Sequence, residues 1–556
     1  MQKKLSLRKY SFIGISIIIY LLLLNLLFGF SKNKSSSNIR FEVSFPQSVH
    51  KQAITGRVYV ILTRDNRREP RLQMYTHGAP FFGSDVEGLK PGEAAVIDEK
   101  VLGYPMDSLS QIPEGDYYVQ GLINIYTQFH RADGHTVWLH MDQWEGQHFN
   151  ISPGNLYSEV QQIHFDPKQG GTIKLIANKI IPPIKISPDT EWVKRIKIKS
   201  KLISEFWGRP MYLGATILLP KGYHKNPDKY YPTIYLQGHF SLWAPMGFTT
   251  EEPKMNNRWA RLGYEFYKEW VSSTIPPMLI ITFQHPTPYY DDSYAVNSEN
   301  NGPYGDAIIK ELIPYIEKNF RAIPKPYARL LTGGSTGGWE ALALQIFHPD
   351  FFGGCWSLCP DPVDFRYFQM IDIYKDKNAF YKELGWLKIP TASDRDIYGM
   401  VTLTSAQRNR YELVRGTKSR SGEQIDIFEA TYGLVGEDGY PQPLFNPLTG
   451  EIDPEVANYW KEHYDLSYYL EKNWPTIGPQ LVGKLHIYTG DMDTFYLNNA
   501  VYLLEDFLEN RTNPYYAGTV EYGDRKPHCW GPYGAELIKL MAVHLKKYAA
   551  KERGFE

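Results

Sequence analysis

The sequence predicts two folded parts in tandem: an all-β sandwich over residues 38–180, then a mostly parallel sheet with helices on both faces over residues 190–556. Three observations carry this reading. Short alternating β runs between Gly/Pro turns, without an amphipathic helix, fill the first part. Buried β runs alternate with helical stretches in the second. Between them, Ile181-Pro182-Pro183-Ile184 through Ser187-Pro188-Asp189 forms a stiff linker.

Composition narrows the function classes. At 556 residues and 43% hydrophobic, the chain is long enough for several domains and apolar enough for a large core. Lys+Arg of 60 against Asp+Glu of 61 leave a net charge of -1, so no basic field points to nucleic acid. Three cysteines without C-x-x-C spacing make neither a disulfide scaffold nor a zinc finger. No metal-ligand cluster, phosphate loop or dinucleotide fingerprint is legible, and no cofactor is expected.

Residues 1–31 read as targeting sequence rather than fold. Lys3, Lys4, Arg8 and Lys9 precede an apolar run from Phe12 to Phe30, the pattern of an export signal. The run is just long enough to span a bilayer and no A-x-A site follows it, so cleavage and a retained anchor both stay open. No cysteine follows it, which argues against a lipid anchor. Either way everything after Lys32 is expected outside the cytoplasm, with membrane contact only through residues 12–30.

The strands of the first part are read at Arg40–Phe45, Arg57–Leu62, Asp116–Ile125 and Gly171–Leu175. In the second part the strands are Tyr212–Leu218, Pro232–Leu236, Pro277–Phe283, Arg329–Thr332, Gly354–Leu358, Lys484–Thr489 and Thr519–Tyr522. Helices are expected over Asp306–Asn319, Gly337–Phe347, Asn498–Glu509 and Tyr533–Ala550; the first has Ile308, Ile309, Leu312, Ile313 and Ile316 at helical spacing. Residues 365–480 lose this rhythm, are rich in Tyr, Pro and Gly, and read as an insertion or lid at the carboxyl edge of the sheet.

Gly333-Gly334-Ser335-Thr336-Gly337-Gly338 contains G-x-S-x-G between an apolar strand and a helix. Such a turn exposes a serine above the sheet at a helix N-terminus, where developing negative charge is favoured. A phosphate-cradling turn would want Lys after the last glycine, and Trp339 stands there instead. Serine needs a base, and in an α/β-hydrolase sheet the order is Ser, then Asp or Glu, then His. His528 lies in a turn-rich loop after a strand, whereas His544 belongs to the terminal helix and reads as a packing residue. Asp493, three residues past the strand-end Gly490, is preferred as the orienting acid over Asp491, with Asp361 and Asp364 as distant rivals. Oxyanion donors would be the backbone N–H of Thr336 and that of His239 (or Phe240), after the strand ending in Gln237-Gly238.

With Tyr235-Leu236-Gln237-Gly238-His239, Gly333 to Trp339, Gly490-Asp491-Met492-Asp493 and Pro527-His528-Cys529-Trp530, the stretch from Tyr212 to Ala549 resembles the putative-esterase family of α/β-hydrolases. That family includes feruloyl esterases, S-formylglutathione hydrolases and mycolyltransferases. The resemblance implies a cofactor-free triad of Ser335, Asp493 and His528. Two departures stand out: Gln237 where many members carry His, and the long insertion.

Trp339, Trp530 and Trp243 each follow a catalytic segment, and either line an aromatic or sugar-binding cleft or belong to the core. The polar loop Asn297–Tyr304 either positions substrate hydroxyls or caps the next helix. Cys359 and Cys529 both belong at the carboxyl edge in an oxidising compartment, where a disulfide between them would brace the histidine loop and leave Cys355 free. The expected activity is an exported serine esterase acting on a small-molecule or polysaccharide-linked ester. The alternatives are an acyltransferase of the same fold and a non-catalytic glycan-binding surface protein.

Overall fold

The computed structural model describes residues 39–253, 257–272 and 274–552. The apolar run Phe12–Phe30 lies outside the described residues; among those described, no helix is long and apolar enough to cross a membrane.

Residues 39–180 form two sheets. Strand Ile39–Ser44 pairs in parallel with Gly171–Ile176 and antiparallel with Ala94–Ile97. The long strand Gly115–His130 lies beside Ile54–Thr63 in an eight-stranded sheet. Alternation decides which side chains turn inward: Ile39, Phe41 and Val43 are buried, while Arg40 is exposed and Glu42 half-buried on the other face. Phe41 and Val43 join Val58, Val60, Val119, Ile123 and Leu175 in a core shared by both sheets.

The second part is built on a central sheet. Its strands are β1 (Val193–Ser200), β2 (Met211–Leu218), β3 (Thr233–Gln237), β4 (Leu279–Gln284), β5 (Arg329–Gly334), β6 (Gly354–Leu358), β7 (Leu485–Gly490) and β8 (Thr519–Gly523). They lie in the order β1-β2-β4-β3-β5-β6-β7-β8. The β1–β2 and β2–β4 pairs are antiparallel and the rest are parallel. With G-x-S-x-G directly after β5, this is the α/β-hydrolase fold expected from the sequence. The inner strands β4 and β6 are buried throughout, which is why they read as continuous apolar runs. Register brings Gln237 beside Gly333 and Gly334 beside Leu358, so the strand ends that carry the site share one edge.

The helices are α1 (Lys201–Trp207), α2 (Arg258–Val271), α3 (residues 304–320), α4 (Thr336–Phe347), α5 (Ser405–Arg415), α6 (Gln424–Tyr432), α7 (Pro454–Tyr464), α8 (Leu466–Leu481), α9 (Asn498–Glu509) and α10 (Ala535–Glu552). In α3 a π turn, Ile308–Leu312, precedes Pro314, which has no N–H for the ladder. Outside the insertion, β1, α1 and α2 of the second part have no counterpart in the sequence reading. β1 is an edge strand rich in lysine, a composition that protects a sheet margin but hides the strand from a hydrophobicity reading.

The insertion over residues 365–480 departs most from expectation. It holds α5 to α8 and the hairpins Tyr381–Leu384/Leu387–Pro390 and Ala392–Arg395/Val401–Thr404. The helical pattern was hidden because α5 and α6 bury polar side chains, among them Asn409, Glu412, Arg415, Asp426 and Glu429. Glu412 accepts the N–H groups of Ile425 and Asp426 and so satisfies the start of α6.

This insertion packs on the N-terminal sheets. Arg57 donates to the carbonyls of Val414 (2.9 Å) and Leu413 (3.3 Å), and the Tyr59 hydroxyl donates to that of Arg415. Arg415 in turn donates to Met74 O at 3.2 Å. Tyr411 and Val414 share an apolar cluster with Tyr59, Ile61, Phe81 and Phe149.

Candidate active site

The chain leaves β5 at Gly334, turns at Ser335 and enters α4 at Thr336. Ser335 has φ 59° and ψ −124°, a conformation that a non-glycine residue holds only when its surroundings impose it. Those surroundings are tight: a Cβ at residue 337 would lie 2.3 Å from Gln237 O, and one at residue 333 would lie 2.3 Å from Gly337 O. The glycines let the nucleophile turn press against the end of β3. Ser335 N donates to Leu358 O at 3.0 Å, fixing the turn to β6.

His528 sits in the loop after β8, with Nδ1 2.7 Å from Asp493 Oδ2. Asp493 is fully buried, and its Oδ1 accepts the N–H groups of Phe495 (2.9 Å) and Leu497 (3.3 Å). A carboxylate so held fixes the imidazole with Nδ1–H toward it and leaves Nε2 as the basic nitrogen. Asp491 shapes the turn instead, donating its N–H to Gly523 O at 3.1 Å.

Cys359 and Cys529 are joined in a disulfide that closes 170 residues, and Cys355 is free and buried. The sulfur of Cys359 lies 3.3 Å from Ser335 N and 4.0 Å from His528 Nε2, so the bridge stands between the nucleophile turn and the base. Among the described residues, no hydrogen bond joins Ser335 Oγ to His528. The hydroxyl is turned to Asp361 Oδ1 at 3.4 Å. In ligand-free sites such a catalytic contact is often long and tightens only around substrate. Cys529→Ser is expected to lower stability by about 2–5 kcal/mol. Urea denaturation would measure this, and the double variant with Cys359→Ser should fall no further.

Asp361, a rival for the acid, faces the serine rather than the histidine. It accepts from Tyr294 OH (2.7 Å), Thr336 Oγ1 (3.0 Å) and Gln424 Nε2 (3.1 Å). Burial pushes its carboxyl above the usual range, against the Tyr294 hydrogen bond and the charge of His528. Asp364 is occupied with Arg366, and His544 Nε2 contacts Gly353 O at 2.8 Å beside Trp356. Tyr294 and Gln424 carry no motif and were not foreseen.

At the predicted oxyanion position, the backbone N–H groups of Thr336 and His239 make no hydrogen bond among the described residues. Gly238 (φ 145°) makes the turn that precedes His239. The His239 side chain was not anticipated in any role. Its Nδ1 lies 3.1 Å from Asp291 Oδ1 and 3.3 Å from Asp292 Oδ2. Burial works to lower the imidazole pKa, but the two carboxylates outweigh it and hold it well above its ordinary value.

A cavity of about 240 Å³ opens at Ser335, bordered by His239, Tyr290, Asp361 and the rings of Phe368, Phe428, Phe445 and Phe495. The three tryptophans expected to line a cleft do not border it. Trp339 is fully buried against Tyr294 and Tyr432, because α4 is enclosed on all sides. Trp530 packs on the core cluster that contains α10 residues, and Trp243 is 81% exposed. The aromatic lining comes mostly from the insertion. Of the two readings of the loop at residues 297–304, capping holds, since Asn297 Oδ1 accepts Asp306 N at 2.9 Å.

Residues 208–420 match the model of the family described as Putative esterase. The match includes His239, Ser335, Thr336 and Asp361 and ends before Asp493 and His528. Among solved structures, a ferulic acid esterase is similar over 64% of this chain and 98% of its own, at 14% identity and a TM-score of 0.37. An S-formylglutathione hydrolase from Agrobacterium tumefaciens is similar over 66% of this chain and 98% of its own, at 13% identity and a TM-score of 0.33. A fluorophosphonate-binding serine hydrolase of Staphylococcus aureus is similar over 64% and 98%, at 14% identity and a TM-score of 0.32. A curated relative, the UvrABC system protein B of Nitrosomonas europaea, is 30% identical over 127 residues, which is 22% of this chain and 18% of that protein. The chain thus spans less than a fifth of the length of that relative. The nucleophile turn at Ser335 thus lies within residues 208–420, the part of the chain that matches the putative esterase family.

Proposed function

We propose that the protein is an exported serine esterase that cleaves its ester through an acyl-enzyme. Ser335 Oγ attacks the ester carbonyl while His528 Nε2 takes its proton, and Asp493 steadies the imidazolium. The backbone N–H groups of Thr336 and His239 receive the oxyanion. His528 then protonates the leaving alcohol, and water activated by the same imidazole releases the acid. The observation that carries this reading is the 2.7 Å contact of His528 Nδ1 with Asp493, set across a disulfide from a serine on a strained strand-to-helix turn.

The substrate reading is an aromatic acyl group, such as a feruloyl group, esterified to a polysaccharide. It is supported by the four phenylalanine rings bordering the cavity at Ser335. Export is supported by the basic flank and apolar run of residues 3–30, and by a disulfide, which persists in oxidising compartments. We read residues 38–180 as a β-sandwich domain and residues 190–556 as the hydrolase, with the insertion forming the lid-side wall of the pocket. Support for the sandwich comes from the two sheets with one shared core.

A fluorophosphonate probe is expected to add one label per chain, on the peptide that contains Ser335, and to abolish hydrolysis of methyl ferulate and p-nitrophenyl acetate. A folded chain that takes no label and cleaves neither ester would overturn the reading.

A further inference from the structure

The loops after β3 and β4 bring together three side chains that the esterase mechanism does not use. His239 Nδ1 stands 3.1 Å from Asp291 Oδ1 and 3.3 Å from Asp292 Oδ2, and the three donor atoms all lie within 4.8 Å of one another. The aspartates are 7% and 1% exposed, whereas the His239 side chain is 47% exposed and borders the cavity that holds Ser335. Nδ1 offers a single proton to the two carboxylates, and only its contact with Asp291 Oδ1 has hydrogen-bond geometry, Asp292 Oδ2 standing in ion-pair range. Asp292 Oδ2 accordingly receives no hydrogen bond, although it is buried and aimed at the cluster. Among the described residues, neither aspartate forms a salt bridge with a lysine or arginine.

Buried carboxylates are paired, or they coordinate a metal. We propose that His239, Asp291 and Asp292 form a binding site for one divalent transition-metal ion of the zinc type. An imidazole nitrogen and two carboxylate oxygens are zinc-type donors, bound at about 2.0–2.2 Å, which sets ligand-to-ligand spacings in a tetrahedron at roughly 3.3–3.6 Å. The observed spacings to His239 Nδ1 stand at or just below the lower end of that range. Calcium would need about six to eight oxygens, which this cluster does not supply. The second cluster of potential ligands, Cys359, Cys529 and His528, offers no thiolate because its sulfurs are joined in the disulfide.

The test uses untagged full-length protein carrying Ser335→Ala, so that ion binding is measured without any ester chemistry. After dialysis against EDTA, the protein is titrated separately with Zn²⁺, Mn²⁺ and Ca²⁺ by calorimetry. Zn²⁺ is expected to bind at one ion per chain, at least about 100-fold more tightly than Ca²⁺. Asp292→Asn and His239→Ala should each weaken Zn²⁺ binding by about 10-fold or more. Circular dichroism checks that the variants are folded. If they are not, the decision rests on the parent stoichiometry and on whether Co²⁺ gives the intense visible absorption of a four-coordinate site. Absence of Zn²⁺ binding, or equal binding in folded Asp292→Asn and His239→Ala, overturns the site. An active esterase would remain compatible with that result.

Discussion

Ser335→Ala is expected to lower kcat for p-nitrophenyl acetate by about 10⁶-fold while leaving the melting temperature where it was. The two halves of this expectation have different origins. The rate falls because, in the proposed mechanism, Ser335 Oγ is the group that forms the acyl-enzyme. The fold is spared because Ser335 Oγ contributes only a 3.4 Å hydrogen bond to Asp361, which keeps its contacts with Tyr294, Thr336 and Gln424. Little buried polarity is orphaned, so the change should stay within about 0.5 kcal/mol. His528→Ala should cost as much in rate, and the double variant no more, because the two act as one unit. Asp493→Asn should cost about 10⁴-fold, since a neutral amide no longer enforces the Nδ1–H tautomer. Stopped-time assays with circular dichroism would measure all four. A well-folded Ser335→Ala protein that keeps more than about a tenth of its turnover would remove the serine from the mechanism.

Arg415→Ala is expected to destabilise the protein by about 3–5 kcal/mol and to raise KM more than it lowers kcat. Arg415 is 4% exposed and lies at the seam between the insertion and the N-terminal sheets. Its guanidinium donates to Met74 O and Ser421 O, each at 3.2 Å, pairs with Glu423 at 3.1 Å, and stacks 4.7 Å from the centre of the Phe149 ring. Truncation leaves Ser421 O without its guanidinium donor and takes the cation from Met74 O and Glu423, which among the described residues retain only the Tyr411 hydroxyl between them. Glu423 and its neighbour Gln424 both border the cavity, and Gln424 also reaches Asp361 at 3.1 Å, so slack at the seam is transmitted to the substrate wall. Ser335, Asp493 and His528 stand in turns and loops that follow strands of the central sheet and should be less affected. Urea unfolding and steady-state kinetics separate the two effects, and an unchanged midpoint would show that the seam holds without this residue.

What could be read from the sequence follows from how each residue is recruited. Ser335 was legible because only glycines fit around its turn, which leaves a local signature. The pairing of Asp493 with His528 was legible because chain order and strand ends restrict the candidates. The disulfide followed from two cysteines at one edge of the sheet. The substrate wall was not legible: Trp339 follows the nucleophile in sequence but enters an enclosed helix, while Phe428 and Phe445 arrive from an insertion with no apolar stripe. Burial of Glu412, Asp426 and Glu429 breaks the periodicity on which helix reading depends. His239, Asp291 and Asp292 were missed because the loops after β3 and β4 unite them across about fifty residues, leaving no spacing to read.

The bonds from Arg57 to the insertion reach 357 positions along the chain. During synthesis, the earliest strands therefore emerge long before their partners exist. Their final packing must wait until α5 has been made, and a chain interrupted before residue 405 would leave Arg57 without two of its carbonyl acceptors. Such long-range closure is slow, and it leaves the opening segments exposed to mispairing in the interval. Assembly of this protein is thus set late, by the arrival of its middle rather than by the start of its chain.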